Sequence, residues 1–387
     1  MSIPKKFQLH HGLNRTSIKW DFFSQDVLPA WVAEMDFPLA PPIKEKLLAI
    51  LNSSDTGYPS AHLEEELRTV FIERMQAQFD WTPSDLPPVY FQDAVQAIFH
   101  VVDCFTQKGD KLLTLTPIYP PFLEVGEKLD RPCSEIELSN INGVYRIPWD
   151  ELRTAAKGAR MLLLCNPHNP TGRVFSKSEL QTLAEIVLEN NLIVVADEIH
   201  ADLIYTPHEH IPFAQISPEI NAQTITLTSA TKAFNLGGLR CAILAFGHIE
   251  QQKLFAKRPW QIRGGLNIMG IHATISAWRD GNTWLRETMK TLEQNRETLV
   301  DYIQNRLPEI ICAKPQATYL AWLDCRNLNL GDDPAAHFLE HGKLGLSSGT
   351  FFGKAGAGFA RLNFATSPTI LNEALRRLEQ SVKNTRG

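Results

Sequence analysis

The sequence lacks the features that mark a membrane, nucleic-acid-binding or disulfide-rich protein. No apolar run approaches the ~20 uninterrupted residues of a transmembrane helix, and the first residues, MSIPKKFQLHHGLN, have no signal-peptide core. A net charge of -5 at pH 7 leaves no basic excess for nucleic acid. The six cysteines form no C-x-x-C pair, which argues against zinc sites and disulfide frameworks. We therefore expect a cytoplasmic protein that binds no nucleic acid, membrane or metal ion.

Short apolar runs alternate with longer segments of helical periodicity, which is typical of an α/β fold. The runs are continuous, as in strands buried on both faces of a mostly parallel sheet. Between two of them, residues 176–190 predict a helix, because Ser176 and Glu179 form a capping box ahead of apolar residues at helical spacing. The runs are KLLTLTP (111–117), RMLLLCNP (160–167), LIVVADE (192–198), TITLTS (224–229) and CAILAFG (241–247).

The pattern changes after about residue 285. A helical stretch (283–306) precedes the isolated strand candidates TYLAWLDC and GFARLNFA and a final helix with Ser367 as N-cap. We interpret residues 286–387 as a small α+β domain and residues 51–285 as the large domain. Residues 1–50, which are rich in proline, predict no long regular element and would form an arm and part of the small domain.

Polar residues follow three of the predicted strands. One run leads into NPHNPTG (166–172), another ends at Asp197, and a third ends at Ser229, three residues before Lys232. Each has an ordinary interpretation by itself: a proline-rich turn, a helix N-cap, or a solvated lysine. Because parallel strands deliver their carboxyl ends to one edge, we instead expect an amide, a carboxylate, a hydroxyl and an amine in one pocket.

This combination of groups suits pyridoxal 5'-phosphate (PLP). A lysine attaches this cofactor covalently, a carboxylate pairs with its pyridinium nitrogen, and hydroxyls with an arginine hold its phosphate. Arg240, eight positions after Lys232, supplies the arginine. The sequence therefore predicts a PLP enzyme.

The chain resembles the fold-type-I PLP enzymes of the class I/II aminotransferase superfamily through NPHNPTG, ADEIHADL and SATKAFNLGGLR. Within that superfamily it is most similar to the MalY/PatB-type carbon–sulfur β-lyases, the cystathionine β-lyase group. The resemblance implies a large PLP-binding domain with a mostly parallel, seven-stranded sheet, and a smaller α+β domain. The narrower match rests on WVAEMDF (31–37), GYPS (57–60), LTPIYPPF (115–122), DEIHADLIY (197–205) and ARLNFATSP (360–368).

The resemblance implies a role for each residue near the cofactor ring. Lys232 would hold PLP and later remove the proton from the substrate Cα. Asp197 would keep the ring nitrogen protonated, Asn169 would bind the phenolic oxygen and the substrate, and Tyr119 would stack on the ring. Lys232 and Tyr119, with Tyr58, are the expected catalytic residues.

The resemblance also implies a phosphate site. Ser229 and Arg240 would bind the phosphate together with the backbone amides of Ala94 and Val95, at the start of a helix. Many relatives have glycine where this chain has Asp93. Because a carboxylate repels phosphate, we expect Asp93 to point away or to cap the helix.

Two further residues are implied to contact the substrate. Arg361 would grip the α-carboxylate of an amino acid as a bidentate pair. Tyr58 corresponds to a tyrosine that reaches into the neighbouring subunit's pocket. The resemblance therefore implies a homodimer with shared active sites.

His200 lies in the D-E-I-H segment typical of the lyase-like group, where many aminotransferases have tyrosine in place of the histidine. We expect it to contact the cofactor and to shape the leaving-group pocket. A solvated histidine is one alternative. Another is a metal site with Asp202, His208 and His210, although their spacing gives no four-ligand pattern.

We therefore expect α,β-elimination from L-amino acids that carry sulfur on Cβ, such as cystathionine. An aminotransferase on the same scaffold would use the same residues and is the main alternative. A regulatory binding protein that retains the fold is a further alternative. The preferred sulfur substrate is left open by the sequence.

Overall fold

The computed structural model describes residues 8–383. Two segments lie outside the described residues: residues 1–7 of the predicted arm and residues 384–387 of the predicted small domain. The first of them is also the first half of the stretch MSIPKKFQLHHGLN discussed above. Among the described helices, none has both the length and the apolar character needed to cross a bilayer.

Fifteen strands lie within residues 8–383, and the longest of them, Ala159–Cys165, has seven residues. They are β1 (Leu28–Pro29), β2 (Val89–Phe91), β3 (Lys111–Thr116), β4 (Cys133–Glu137), β5 (Ser139–Ile141), β6 (Val144–Arg146), β7 (Ala159–Cys165), β8 (Ile193–Asp197), β9 (Thr224–Thr228), β10 (Ala242–Phe246), β11 (Ile311–Cys312), β12 (Leu320–Asp324), β13 (Leu344–Gly345), β14 (Ser347–Ser348) and β15 (Phe359–Asn363).

Seven of these strands form the large sheet, in the order β2-β10-β9-β8-β7-β3-β4. The strands from β9 to β4 are parallel to their neighbours, whereas β10 is antiparallel to both β9 and β2. A small sheet, β11-β12-β15-β14, is antiparallel. The predicted α/β fold, with a mostly parallel seven-stranded sheet, is confirmed.

The described α-helices follow the predicted periodicity where it was clear. Ser176 and Glu179 form the expected capping box. The helices are α1 (Leu9–Leu13), α2 (Ile18–Asp21), α3 (Pro41–Ser53), α4 (Ala61–Phe79), α5 (Ala94–Phe105), α6 (Pro121–Lys128), α7 (Trp149–Ala156), α8 (Lys177–Glu189), α9 (Pro218–Gln223), α10 (Ile249–Ala256), α11 (Trp260–Arg263), α12 (Ile268–Asp280), α13 (Asn282–Arg306), α14 (Pro334–Gly342) and α15 (Pro368–Lys383).

The central strands are buried along most of their length because both faces of the large sheet are covered. In β7, Leu162 and Leu164 belong to an apolar cluster that includes residues of α7 and α8. Met161 and Leu163, which point to the other face, belong to a cluster that includes residues of α5 and α6. Burial of each such side chain contributes about 1.5 to 3 kcal/mol. This packing fixes the strand ends that form the site.

The prediction that residues 1–50 contain no long regular element is wrong for the last ten of these residues. Helix α3 begins at Pro41 and spans 13 residues. Prolines are tolerated in a first helical turn, because the N–H groups of that turn have no intrahelical partner. Pro41 and Pro42 therefore start a helix instead of preventing one.

The predicted division at residues 285 and 286 falls inside α13. A continuous helix, and not a loop, thus joins the two regions of the chain. The division into a large and a small domain stays a prediction.

Candidate active site

A cavity of about 400 Å³ lies where β7 and β8 end and where the loop after β9 begins. Cys165 is the last residue of β7 and pairs in register with Asp197, the last residue of β8. Ten of the eleven predicted site residues line this cavity: Ala94, Val95, Tyr119, Asn169, Asp197, His200, Ser229, Lys232, Arg240 and Arg361. The structure therefore brings together residues that lie up to 267 positions apart in the chain, from 94 to 361.

Lys232 extends into the cavity from the turn that follows β9. Its Nζ donates a hydrogen bond to the carbonyl oxygen of Ala33 at 3.3 Å. Burial and the nearby Arg361 lower the pKa of Lys232 to about 8. Within residues 8–383, no carboxylate lies within ion-pair distance of this amine. The lowered pKa therefore leaves a much larger share of this amine neutral and nucleophilic near physiological pH than for an ordinary lysine.

Asp197 is buried beside the lysine. One of its oxygens accepts a hydrogen bond from the backbone N–H of Ile199 at 3.0 Å. Burial raises the pKa of Asp197 to about 6, and Glu198 adds to the increase. No cationic side chain of the described part of the chain forms an ion pair with it. A cationic or hydrogen-bonding group of a ligand would therefore stabilise this carboxylate.

Arg361 of β15 is 5% exposed and reaches the cavity from the small sheet. Its donors meet neutral acceptors: the Asn169 side-chain oxygen at 2.9 Å, the Trp31 carbonyl at 3.0 Å and the Ser347 hydroxyl at 3.2 Å. Its Nε is buried and has no hydrogen-bond partner among the described residues. Burial lowers the pKa of Arg361 to about 10, so the guanidinium is charged at neutral pH.

This buried cation has no carboxylate partner in residues 8–383. A buried charge without a counter-ion is costly, and proteins keep such groups where a ligand supplies the opposite charge. Because Arg361 already uses the amide oxygen of Asn169, only the amide N–H groups of Asn169 remain to serve an oxygen of a ligand.

The far end of the cavity gathers donors for an anion. Asp93 caps α5 by accepting the Gln96 N–H at 2.8 Å, as expected, and the residues of the first turn of α5 line the cavity. Ser229 contacts the Thr231 hydroxyl at 2.9 Å. Thr231 was not predicted as a site residue, although its hydroxyl lies between Ser229 and Lys232 in the sequence and also lines the cavity.

Residues 30–36, which we call the strap, contribute Val32 and Ala33 to the lining of the cavity. The carbonyl oxygens of Val32 and Glu34 both accept hydrogen bonds from the Asn363 side chain at 2.7 Å. That of Ala33 accepts from Lys232 and from Tyr319, at 3.3 and 3.1 Å. These contacts could not be predicted from the sequence because they use backbone oxygens, which any residue supplies.

A buried ion pair anchors the strap at its end. Lys19 and Asp36 are each 1% exposed, and their Nζ and Oδ2 atoms are 2.9 Å apart. The indole N–H of Trp20 donates to the same carboxylate at 2.8 Å. Helix α2 therefore holds the end of the strap in place.

His200 lies in the cavity, edge-on to Tyr319 with ring centroids 6.2 Å apart. Burial, together with the nearby charges of Lys232 and Arg361, lowers the pKa of His200 to about 3, so the imidazole is neutral. Its Nδ1 has no hydrogen-bond partner among the described residues. Tyr119 lines the cavity as well, and burial raises its pKa.

The alternative metal site does not assemble. His210 pairs with Glu198 at 3.1 Å and, with His208 and Asp202, lines a different hollow of about 820 Å³, which His200 does not line. Within the described residues, no three His, Cys, Asp or Glu side chains are placed to hold a metal ion.

Tyr58 is the predicted site residue that the cavity does not contain. It is fully exposed, in the turn before α4. Within one chain, Tyr58 is therefore not part of the site, and its predicted role depends on a second subunit.

Residues 22–378 match the family of class I and II aminotransferases. The chain belongs to this family. It is 33% identical to cystathionine β-lyase PatB of Bacillus subtilis, over 96% of this chain and 97% of that protein. It is also 33% identical to a cystathionine β-lyase of Corynebacterium glutamicum, over 96% and 98%. The crystal structure of cystalysin from Treponema denticola, which contains PLP, has a TM-score of 0.92 and 29% identity and covers 99% of this chain and 98% of that chain.

Proposed function

We propose that the protein is a PLP-dependent carbon–sulfur lyase that acts on L-amino acids with sulfur on Cβ, such as cystathionine. The observation that carries this proposal is the buried Arg361, which has no carboxylate partner among the described residues and shares a cavity with Lys232. A guanidinium with such surroundings suits the α-carboxylate of an amino acid. The relatives named cystathionine β-lyase, which match almost the whole chain, support the choice of a sulfur leaving group.

The residues present fit PLP. Lys232 offers a nucleophilic amine, and Asp197 a buried carboxylate that a protonated ring nitrogen would neutralise. Ser229, Arg240 and the first turn of α5 would hold the phosphate. Tyr119 would lie against the ring.

When bound, PLP supplies an electron-accepting ring that stabilises negative charge on the substrate Cα. Arg361 would orient the substrate by its carboxylate. Nζ of Lys232, once the substrate amine has taken its place, would remove the Cα proton. The thiolate then leaves Cβ with the electrons of the C–S bond, and water converts the unsaturated product to pyruvate and ammonia. For cystathionine, the thiol is homocysteine. We propose that His200 and Tyr58 shape the pocket for this leaving group.

A single assay separates the lyase from an aminotransferase. The purified, PLP-loaded protein is mixed with L-cystathionine in the absence of any oxo acid. A lyase releases pyruvate and thiol continuously, since its cofactor is regenerated in each cycle. Product formation that stops after one equivalent per active site would contradict the proposal and indicate transamination.

We further propose a homodimer in which Tyr58 of each chain completes the site of its partner. The full exposure of Tyr58 and its absence from the cavity of its own chain support this proposal. Lys232→Ala and Tyr58→Ala variants, each inactive as a homodimer, should complement each other when co-expressed. Random pairing gives one intact site in half of the dimers, hence roughly a quarter of wild-type activity. A monomer in light scattering, or no complementation, would refute shared sites.

We also propose a cytoplasmic location. All six cysteines are thiols that form no disulfide, as is usual in a reducing compartment. Fractionation of the native cells with an antibody to the protein tests this.

A further inference from the structure

Asp93 places a negative charge inside the proposed phosphate site. Its Oδ1 accepts the backbone N–H of Gln96, so the carboxylate is fixed at the start of α5. Its Oδ2 forms an ion pair with Nη1 of Arg240. Both residues line the cavity. Asp93 thus uses the guanidinium that the phosphate is expected to need.

No other carboxylate among the described residues pairs with Arg240. The other side chains at this end of the cavity, Ser229 and Thr231, contribute hydroxyls and no charge. Asp93 therefore decides how much positive charge the site offers.

The charge balance is unfavourable to a phosphate. A phosphate monoester carries about -1.5 to -2 charges at pH 7, whereas a helix N-terminus offers about +0.5. Arg240 adds one positive charge, and Asp93 removes it. The phosphate would therefore enter a site in which the charges of Arg240 and Asp93 nearly cancel, and it would lie next to the Asp93 carboxylate.

We propose that Asp93 competes with the cofactor phosphate for Arg240 and so weakens PLP retention. The phosphate must replace the carboxylate as the partner of Arg240, and the displaced Asp93 stays nearby as a like charge. The consequence is a cofactor that exchanges with the medium more readily than in the same site without this carboxylate. This inference rests on the proposed PLP-dependent function.

Asp93→Asn is the appropriate variant, because asparagine caps a helix as well as aspartate does and removes only the charge. Asp103→Asn is the matched control. It removes the same charge from the same helix, where Asp103 pairs with Arg258 outside the cavity. Cofactor-free preparations of the wild type and both variants are titrated with PLP, and binding is followed by absorbance at low and high salt. Pyridoxal, which lacks the phosphate, is titrated in parallel.

We expect Asp93→Asn to bind PLP about 1.5- to fivefold more tightly than the wild type at low salt, the range for exposed charge pairs. The gain should shrink at high salt, because both charges are partly exposed and screened. The affinity for pyridoxal should be the same in Asp93→Asn and the wild type. Asp103→Asn should bind PLP with the affinity of the wild type.

Equal or weaker PLP binding by Asp93→Asn would overturn the inference, and so would an equal gain for pyridoxal. In those cases the proposed lyase activity stands if the wild type takes up PLP and releases thiol. A wild type that takes up no PLP would overturn both proposals.

Discussion

Replacement of Arg361 by methionine should separate substrate recognition from stability. The side chain keeps its length but loses a charge that burial leaves without a carboxylate partner in the described residues. Charged hydrogen bonds of this kind contribute about 1.5 to 3 kcal/mol. The value of kcat/KM should therefore fall by roughly 10- to 150-fold. Tm of the substrate-free protein should stay the same or rise, because a costly buried charge is removed.

Arg296 provides a matched control for this experiment. It is equally buried, at 4% exposure, but pairs with Glu293 and Glu297 at 3.3 and 2.8 Å and does not line the cavity. Arg296→Met should lower Tm and leave kcat/KM unchanged. Steady-state kinetics, thermal unfolding and PLP content are measured for both variants. If Arg361→Met loses PLP or unfolds while its kcat/KM per bound PLP is unchanged, Arg361 does not bind the substrate and the reasoning fails.

Three further predictions concern Lys232, Asp197 and the strap anchor. Lys232→Ala should remain folded by circular dichroism but lose the visible absorbance of bound PLP and all turnover; a variant that keeps both would exclude Lys232. Burial raises the pKa of Asp197 to about 6. The carboxyl group is therefore neutral below about pH 4, and as the pH rises through 6 it becomes a buried charge that destabilises the folded state. Cofactor-free Asp197→Asn should therefore exceed the wild type in urea stability by about 2 to 3 kcal/mol at pH 8, with little difference at pH 4; a constant difference would contradict the pKa. Asp36→Ala should cost about 3 to 5 kcal/mol, because Lys19 is left buried and unpaired, whereas the double variant Lys19→Met/Asp36→Leu should recover most of the loss; equal losses would show that the pair is not the cause.

The central strands could be predicted because burial on both faces restricts their side chains. The site residues at the strand ends could be predicted because they depart from that restriction. The buried positions of a strand covered on both faces carry apolar or small uncharged side chains, as β7, β8 and β9 show up to the charged Asp197 that ends β8. The polar residues at their ends stand out because they interrupt that pattern. The composition of the site followed from the chemistry of those side chains and from the family resemblance.

Other elements could not be predicted from residue pattern. Strand β4 lies at the edge of the sheet and pairs only with β3. Three of its five residues are polar, so its sequence resembles that of a loop. The strap acts through the carbonyls of Trp31, Ala33 and their neighbours, which no side chain reveals. Asp93 was expected to cap α5, but its ion pair with Arg240 depends on two segments 147 residues apart.

Peptide mapping identifies the lysine that attaches PLP. The PLP-loaded protein is reduced with borohydride, digested and analysed by mass spectrometry. We expect one phosphopyridoxyl group per chain, attached to Lys232. Attachment to any other lysine, or no attachment, would contradict this expectation.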